Sequence, residues 1–305
     1  MYFRAFDFYL LLTTYYLQKI MKLPQLINNF ITSLQCYYSI NEADQIMALV
    51  MEEVLGMKKV ELRINGDREI HEEKVAELGY ILEKLKTHMP VQYVLGVAWF
   101  DDLKLEVNQD VLIPRQETEE LIHLISKNEK GRSIGTIVDL CSGSGCISLA
   151  LKKRFPNAKV SGYDVSSPAI DLSRRNALNL HLDVTFLHAD ILELTALPEK
   201  ADIIVSNPPY VRRSEATQMQ PHVLDYEPHL ALFVPDHDPL KFYSHIIRLS
   251  KSSLNPGGRL YFEINEQFGQ EIKELLQKQN FGKVNIVKDL QGKERMITAE
   301  LVISN

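Results

Sequence analysis

Ile137-Val138-Asp139-Leu140-Cys141-Ser142-Gly143-Ser144-Gly145-Cys146 is the stretch whose reading decides the fold. A short branched apolar run enters a turn holding two glycines, and the chain leaves that turn in a pattern that reads as a helix. This is the strand, turn and helix that open a doubly wound α/β domain. Gly143 and Gly145 carry no Cβ, so the backbone N–H groups of the turn can approach a ligand closely. Taken alone, the spacing fits a nucleotide loop and a plain strand-to-helix turn equally well.

Outward from this stretch, after Ser133, short apolar runs alternate with helical segments, the pattern of a parallel sheet covered on both faces. Strands are expected at Thr136–Leu140, Lys159–Asp164, Val184–Ala189, Asp202–Ser206, Arg259–Ile264, Val284–Lys288 and Met296–Val302. Helices are expected at Gly145–Phe155, Pro168–Leu178, Pro239–Leu254 and Gln267–Gln279. The fold class is therefore α/β, a Rossmann-like domain, with no internal repeat.

Before Ser133 the chain reads differently. From Asn41, taken as an N-cap, the residues Ala43, Ile46, Met47, Val50, Met51, Val54 and Leu55 recur at helical spacing, and Gly56 closes the helix. A second amphipathic stretch carries Val75, Leu78, Leu82 and Leu85 and ends before Pro90. Residues 21–95 are thus expected to form a small helical domain. Strand character between Trp99 and Val107, around Asp101-Asp102, suggests a hairpin, so 96–113 reads as a linker and 114–305 as the α/β domain. Residues 1–20 are rich in aromatic and aliphatic residues but include Arg4, Asp7 and Lys19. Their apolar core is too short to span a bilayer, and they lack a basic leader region and a cleavage site. They are expected to be an upstream extension with Met21 as the physiological start; the alternative is a helix packed on the next domain.

The 305 residues carry a formal net charge of −6, which argues against affinity gained mainly by neutralising nucleic-acid phosphates. The three cysteines, Cys36, Cys141 and Cys146, contain no C-x-x-C pair, so neither a disulfide framework nor a zinc cluster is expected, and a cytoplasmic location fits. No His pattern suggests a metal. Cys141 and Cys146 read as small turn and core residues rather than nucleophiles.

Asp164 closes the second strand, where a carboxylate can accept both hydroxyl hydrogens of an adenosine ribose. Asp190 closes the third, where it can accept the adenine amine. The loop lacks the Lys-Ser/Thr ending of a phosphate-binding loop and the third glycine of a dinucleotide fingerprint. Asp139, just before it, welcomes a cation such as the ammonium of S-adenosyl-L-methionine and repels a pyrophosphate. After the fourth strand comes Asn207-Pro208-Pro209-Tyr210. Two prolines fix φ and remove two N–H donors, leaving a stiff turn whose carbonyls can point at a ligand. The Asn207 side-chain oxygen and the Pro208 carbonyl can accept both hydrogens of a planar NH2 group, with Tyr210 stacked on the acceptor. This combination points to methyl transfer from S-adenosyl-L-methionine to an amide or amino nitrogen.

The chain from about Met21 to its end resembles the HemK/PrmC family, bacterial methyltransferases that modify the glutamine of the Gly-Gly-Gln motif in class 1 peptide release factors. The resemblance rests on Pro114 to Leu121, Asp139 to Gly145, Asn207 to Tyr210, Tyr226-Glu227-Pro228, and Asp289 with Gly292-Lys293-Glu294-Arg295. It implies a seven-stranded catalytic domain with an antiparallel last strand and a helical N-terminal domain that helps bind the release factor. It also implies cofactor contacts at Cys141, Ser142, Gly143, Ser144, Gly145, Asp164, Asp190, Ile191 and Asn207, to which the charge of Asp139 adds that residue. Asn207, Pro208, Pro209 and Tyr210, with Arg115 and Glu117, would hold the substrate glutamine. A monomer without stable nucleic acid or membrane attachment is expected. Two positions depart from the family pattern: Gln116 replaces a usual proline, and Cys141 a frequent glycine. The acceptor turn also occurs in methyltransferases acting on the adenine amino group of DNA or RNA and in ribosomal-protein glutamine methyltransferases, and a non-enzymatic binding module is the remaining alternative.

Overall fold

The computed structural model describes residues 20–64 and 66–302. The expectation for residues 1–20 lies, apart from Ile20, outside the described residues. The chain divides into two compact units, one ending at Gly96 and the other beginning at Val97.

In the first unit, strand β1 (Ile20–Lys22) pairs antiparallel with β2 (Glu69–His71) beside helices Leu23–Leu34, Ile40–Leu55 and Glu72–Leu85. The N-cap of the second helix is Ser39, not Asn41: the Ser39 side chain accepts the Glu42 N–H, and Asn41 falls inside the first turn. Ser39-x-x-Glu42 is the spacing at which a serine satisfies an otherwise orphan N–H. Gly56 ends the helix in the left-handed region (φ 66°), as a C-cap glycine does. Helical spacing brings Met47, Val50 and Met51 together with Phe30, Leu78 and Leu82 in one buried cluster.

The second unit opens with a hairpin, β3 (Val97–Phe100) against β4 (Leu103–Glu106). Asp101 and Asp102 both take positive φ at its tip, matching the two-residue turn that suits strand twist. Phe100, Leu103 and Leu105 are buried in the core of this unit. Seven strands form the main sheet: β5 (Thr136–Leu140), β6 (Lys159–Asp164), β7 (Val184–His188), β8 (Ala201–Ser206), β11 (Leu254–Glu263), β12 (Phe281–Lys288) and β13 (Glu294–Leu301). Two-residue strands β9 (Val211–Arg212) and β10 (Phe233–Val234) pair separately. The sheet order is β12-β13-β11-β8-β5-β6-β7, and only β13 runs against its neighbours. β11 begins five residues before the expected Arg259, because Leu254 already pairs with Ala201 across a bulge. A helix over Gln116–Asn128, which the periodicity reading did not include, packs Leu121, Ile122 and Ile125 into the core.

Side-chain alternation gives the central strands β5, β8 and β11 two buried faces. Ile137, Ile203, Val205 and Tyr261 join one cluster, and Val138, Leu140, Ile204 and Phe262 the other. This is the Rossmann-like α/β architecture expected. Strand order reverses between β5 and β8, so a crevice opens at their carboxyl ends. Among the described residues no helix is long and apolar enough to cross a membrane.

Candidate active site at the sheet reversal

Leu140 and Ser206, the last residues of β5 and β8, are register partners, and the Ser206 hydroxyl donates to the Leu140 carbonyl at 2.6 Å. The glycine loop and the proline turn therefore leave the sheet side by side. Cys141, Gly143 and Gly145 all take positive φ. Cys141 thus adopts the backbone of the glycine frequent in the family, a conformation that L side chains pay to adopt. The Gly143 N–H donates to Asp164 Oδ2 at 2.8 Å, and Asp164 Oδ1 accepts the Ser166 N–H, so the loop is tied to the end of β6.

A cavity is walled by Cys141, Ser142, Gly143 and Ser144, by Asp164, Asp190 and Ile191, and by Asn207 and Pro209. Asp190 does not close β7, which ends at His188; it caps the turn Ile191–Glu193, its Oδ1 accepting the Leu192 N–H. Burial raises the Asp164 carboxyl above its ordinary value, against backbone N–H bonds that lower it. Burial, followed by the charge of nearby aspartates, also keeps the Cys141 thiol protonated and pushes Cys146 up to about 12, so neither is a nucleophile.

Four expected cofactor or substrate residues, Asp139, Gly145, Glu117 and Pro208, do not line the cavities of the site. Asp139 is fully buried beneath the loop, where its Oδ2 accepts the Ser148 N–H at 3.1 Å and hydroxyl at 2.6 Å, and it does not line the cavity. It shares the strand face of Ile137, which packs under helix Cys146–Arg154. Gly145 also lies beneath the loop, its missing Cβ position facing the Phe186 ring. Glu117 lines neither this cavity nor the one beside it. Gln116 is the first residue of its helix, a position that also accepts proline, so this departure leaves the local path intact.

Burial pushes the Asp139 carboxyl up to about 7 from 3.8, while the Ser148 bonds oppose it. Between those values the folded chain holds a proton that the unfolded chain has released. From this group, stability is therefore full at low pH and falls as pH rises, by at most about 1.4 kcal/mol per pH unit, levelling off above the folded value. Asp139→Asn removes the slope. Urea unfolding at a series of pH values should show the variant gaining on the wild type between about pH 5 and pH 7; a constant difference would contradict this.

A second cavity shares Leu112, Arg115, Asn207 and Ala231 with the first and adds Tyr210, Met219, Val223 and Glu263. Asn207 thus stands between the two. Its Nδ2 donates to Thr118 Oγ1 at 3.3 Å, and its Oδ1 receives no hydrogen bond among the described residues. The Thr118 hydroxyl donates to Glu263 Oε2 at 2.6 Å, and the Tyr210 hydroxyl donates to Glu263 Oε1 at 3.2 Å. Burial and the Glu263 charge raise the Tyr210 phenol well above its usual range, so it remains a donor. Pro208 and Pro209 are buried, and Pro208, expected in the site, lines neither cavity. Arg115 donates to Glu227 Oε1 at 2.6 Å, holding the Tyr226-Glu227-Pro228 segment against this entrance.

Thr118 and Glu263 are the site residues that the motif reading missed. A signal for Glu263 exists: an acid closing the apolar strand run Leu260-Tyr261-Phe262 is rarely buried without a partner.

Comparison with known proteins follows this geometry. The Methyltransferase small domain family model matches residues 116–224, and the PrmC N-terminal domain model matches residues 25–96. The release factor glutamine methyltransferase of Flavobacterium psychrophilum is 41% identical over 271 residues, covering 88% of this chain and 95% of that protein. The chain belongs to the release factor glutamine methyltransferase family. The member from Bacteroides thetaiotaomicron is 40% identical over 269 residues, covering 88% of this chain and 96% of its own. Among solved structures, the hMettl16 catalytic domain in complex with MAT2A 3'UTR hairpin 6 aligns with a TM-score of 0.51 at 12% identity, covering 78% of this chain and 86% of that chain, a likeness of fold alone. The family's PrmC N-terminal model ends at Gly96, the last residue of the first compact unit.

Proposed function

We propose that this chain transfers a methyl group from S-adenosyl-L-methionine to the side-chain amide nitrogen of the glutamine in the Gly-Gly-Gln motif of class 1 peptide release factors. The observation that carries the reading is Asn207 standing between two adjoining cavities with its amide NH2 tied inward and its oxygen free.

The first cavity suits the cofactor. Carboxylates Asp164 and Asp190 offer acceptors to ribose hydroxyls and an adenine amine, Ile191 supplies an apolar wall, and Gly143 leaves open space where a Cβ would stand. The buried Ser142 and Ser144 hydroxyls have no partner among the described residues, as expected of groups that bond a ligand. Asp139, one layer deeper, makes no contact with the cavity and bonds Ser148 instead. Bound there, the cofactor supplies an electrophilic methyl on a sulfonium.

The protein's own part is positional. An amide nitrogen is a poor nucleophile because its lone pair is shared with the carbonyl. Asn207 Oδ1 and the Pro208 carbonyl accept its two hydrogens, draw electron density toward the nitrogen and hold it in line. Tyr210, its hydroxyl anchored on Glu263, walls the acceptor cavity with a fixed ring, and Arg115 braces the opening. No general base is needed, since the methylated nitrogen loses its proton to water afterwards. The helical unit over residues 21–95 contributes to holding the release factor. The enzyme works in the cytoplasm as a monomer, without stable nucleic acid.

Incubation with isotopically labelled S-adenosyl-L-methionine and a release factor from the same organism, followed by peptide mass mapping, tests the substrate. Label on the Gly-Gly-Gln glutamine, lost when that glutamine is replaced, is expected. Label on another residue, or only on added nucleic acid, would overturn the assignment.

A further inference from the structure

Glu263 lies at the carboxyl end of β11 and is 1% exposed. Its two oxygens are divided between two elements of the site: Oε2 takes the Thr118 hydroxyl from helix Gln116–Asn128, and Oε1 takes the Tyr210 hydroxyl from the proline turn. Burial raises the Glu263 carboxyl above its ordinary value, while the Thr118 and Tyr210 bonds and the charge of Arg295 lower it. With both hydroxyls donating to it, it acts as the ionised form, which only accepts hydrogen bonds. Thr118, having given its single hydrogen to Glu263, faces Asn207 with lone pairs alone, and Asn207 answers with Nδ2. The two ends of a primary amide are nearly the same size, so shape does not choose between them; the polarity of the partner does. Asn265 Nδ2 adds a bond to the Tyr210 carbonyl, and the Tyr243 hydroxyl holds the Glu263 carbonyl, so the ends of the relay are fixed in place.

We propose that Glu263 is a positioning residue for methyl transfer, setting through Thr118 the direction in which the Asn207 amide lies, so that its oxygen rather than its NH2 meets the acceptor nitrogen. The inference rests on the reading of Asn207 as the group that holds that nitrogen. With Glu263 as a glutamine, its NH2 can donate to Thr118. The threonine hydroxyl then turns toward Asn207, and the asparagine amide flips to accept it. A flipped Asn207 presents two donors to an acceptor that itself carries only donors, and the hydrogen bonds that activate the nitrogen are lost.

The test compares Glu263→Gln, Thr118→Val and Thr118→Ser with the wild type in full-length protein. Steady-state methylation of a release factor and S-adenosyl-L-methionine binding by calorimetry are both measured. Glu263→Gln and Thr118→Val are expected to lower kcat about 10- to 100-fold while the cofactor Kd and release-factor KM move less than about threefold. Thr118→Ser, which restores the hydroxyl, is expected to recover most of the turnover. Unchanged kcat in both Glu263→Gln and Thr118→Val would overturn the inference and leave the functional reading standing. So would a loss in kcat matched by an equal loss of cofactor affinity, or one that serine fails to recover, since packing damage produces both. Should Glu263→Gln fail to fold, the two Thr118 variants decide alone. A wild-type enzyme that labels no glutamine defeats the functional reading and the positioning role together.

Discussion

Asn207→Ala is expected to lower methylation of a release factor by roughly 10^2- to 10^3-fold while S-adenosyl-L-methionine binding changes less than about threefold. The asymmetry follows from where Asn207 stands. It is one residue among many on the cofactor wall, which Asp164, Asp190, Ile191 and the glycine loop build without it. Toward the acceptor its oxygen is free, while Thr118 has committed its hydrogen to Glu263 and both prolines are locked. Alanine removes one of the two acceptors that orient the amide nitrogen and leaves Thr118 without its donor. Single-turnover rates measured at saturating cofactor separate the chemical step from binding. A variant that turns over like the wild type would remove Asn207 from the mechanism.

Gly145→Ala is expected to act on the fold, costing about 2–4 kcal/mol of stability. Two costs combine. Gly145 sits at φ 81°, where an L side chain is strained, and an added Cβ would stand 2.7 Å from Phe186 Cζ and 3.1 Å from Ser173 Cβ. Phe186 cannot yield, since a Cβ at Gly162 would meet the same ring at 2.7 Å; the ring is wedged between the two glycines and is 2% exposed. Gly143, two residues earlier, has positive φ but open space around its missing Cβ. Gly143→Ala should therefore cost only about 1 kcal/mol of stability and act mainly on cofactor affinity. Urea denaturation of both variants measures the contrast, and equal stability losses would contradict the role given to Phe186.

The parts of this fold that depend on local pattern were legible from residues alone. β5 and β6 have the bounds expected, Thr136–Leu140 and Lys159–Asp164, because each puts apolar side chains on both faces of the sheet, Ile137 and Val138 in β5, Val160 and Tyr163 in β6. Helix Gln116–Asn128 was not read because its first turn, Gln-Glu-Thr-Glu, is polar and its apolar face is carried by few residues, with Thr118 on the buried side. Asp139 illustrates a subtler limit. Its place before the loop suggested contact with a cation, yet period-two alternation puts it on the face of Ile137, under the following helix, and that alternation was already in the sequence. The relay from Glu263 through Thr118 to Asn207 was not legible at all. Its members stand 145 and 89 residues apart along the chain, and only the crossing of a helix over the ends of β8 and β11 brings them together. Motif spacing locates the group that meets the substrate; what decides which way that group points comes from elsewhere in the chain.

The most direct test is a crystal structure of the enzyme with S-adenosylhomocysteine and a release factor. The expected result places the Gly-Gly-Gln amide nitrogen within about 3 Å of Asn207 Oδ1, with the Pro208 carbonyl as its second acceptor. An Asn207 whose NH2 faces that nitrogen, or a proline turn that opens on bulk solvent away from the cofactor sulfur, would contradict it.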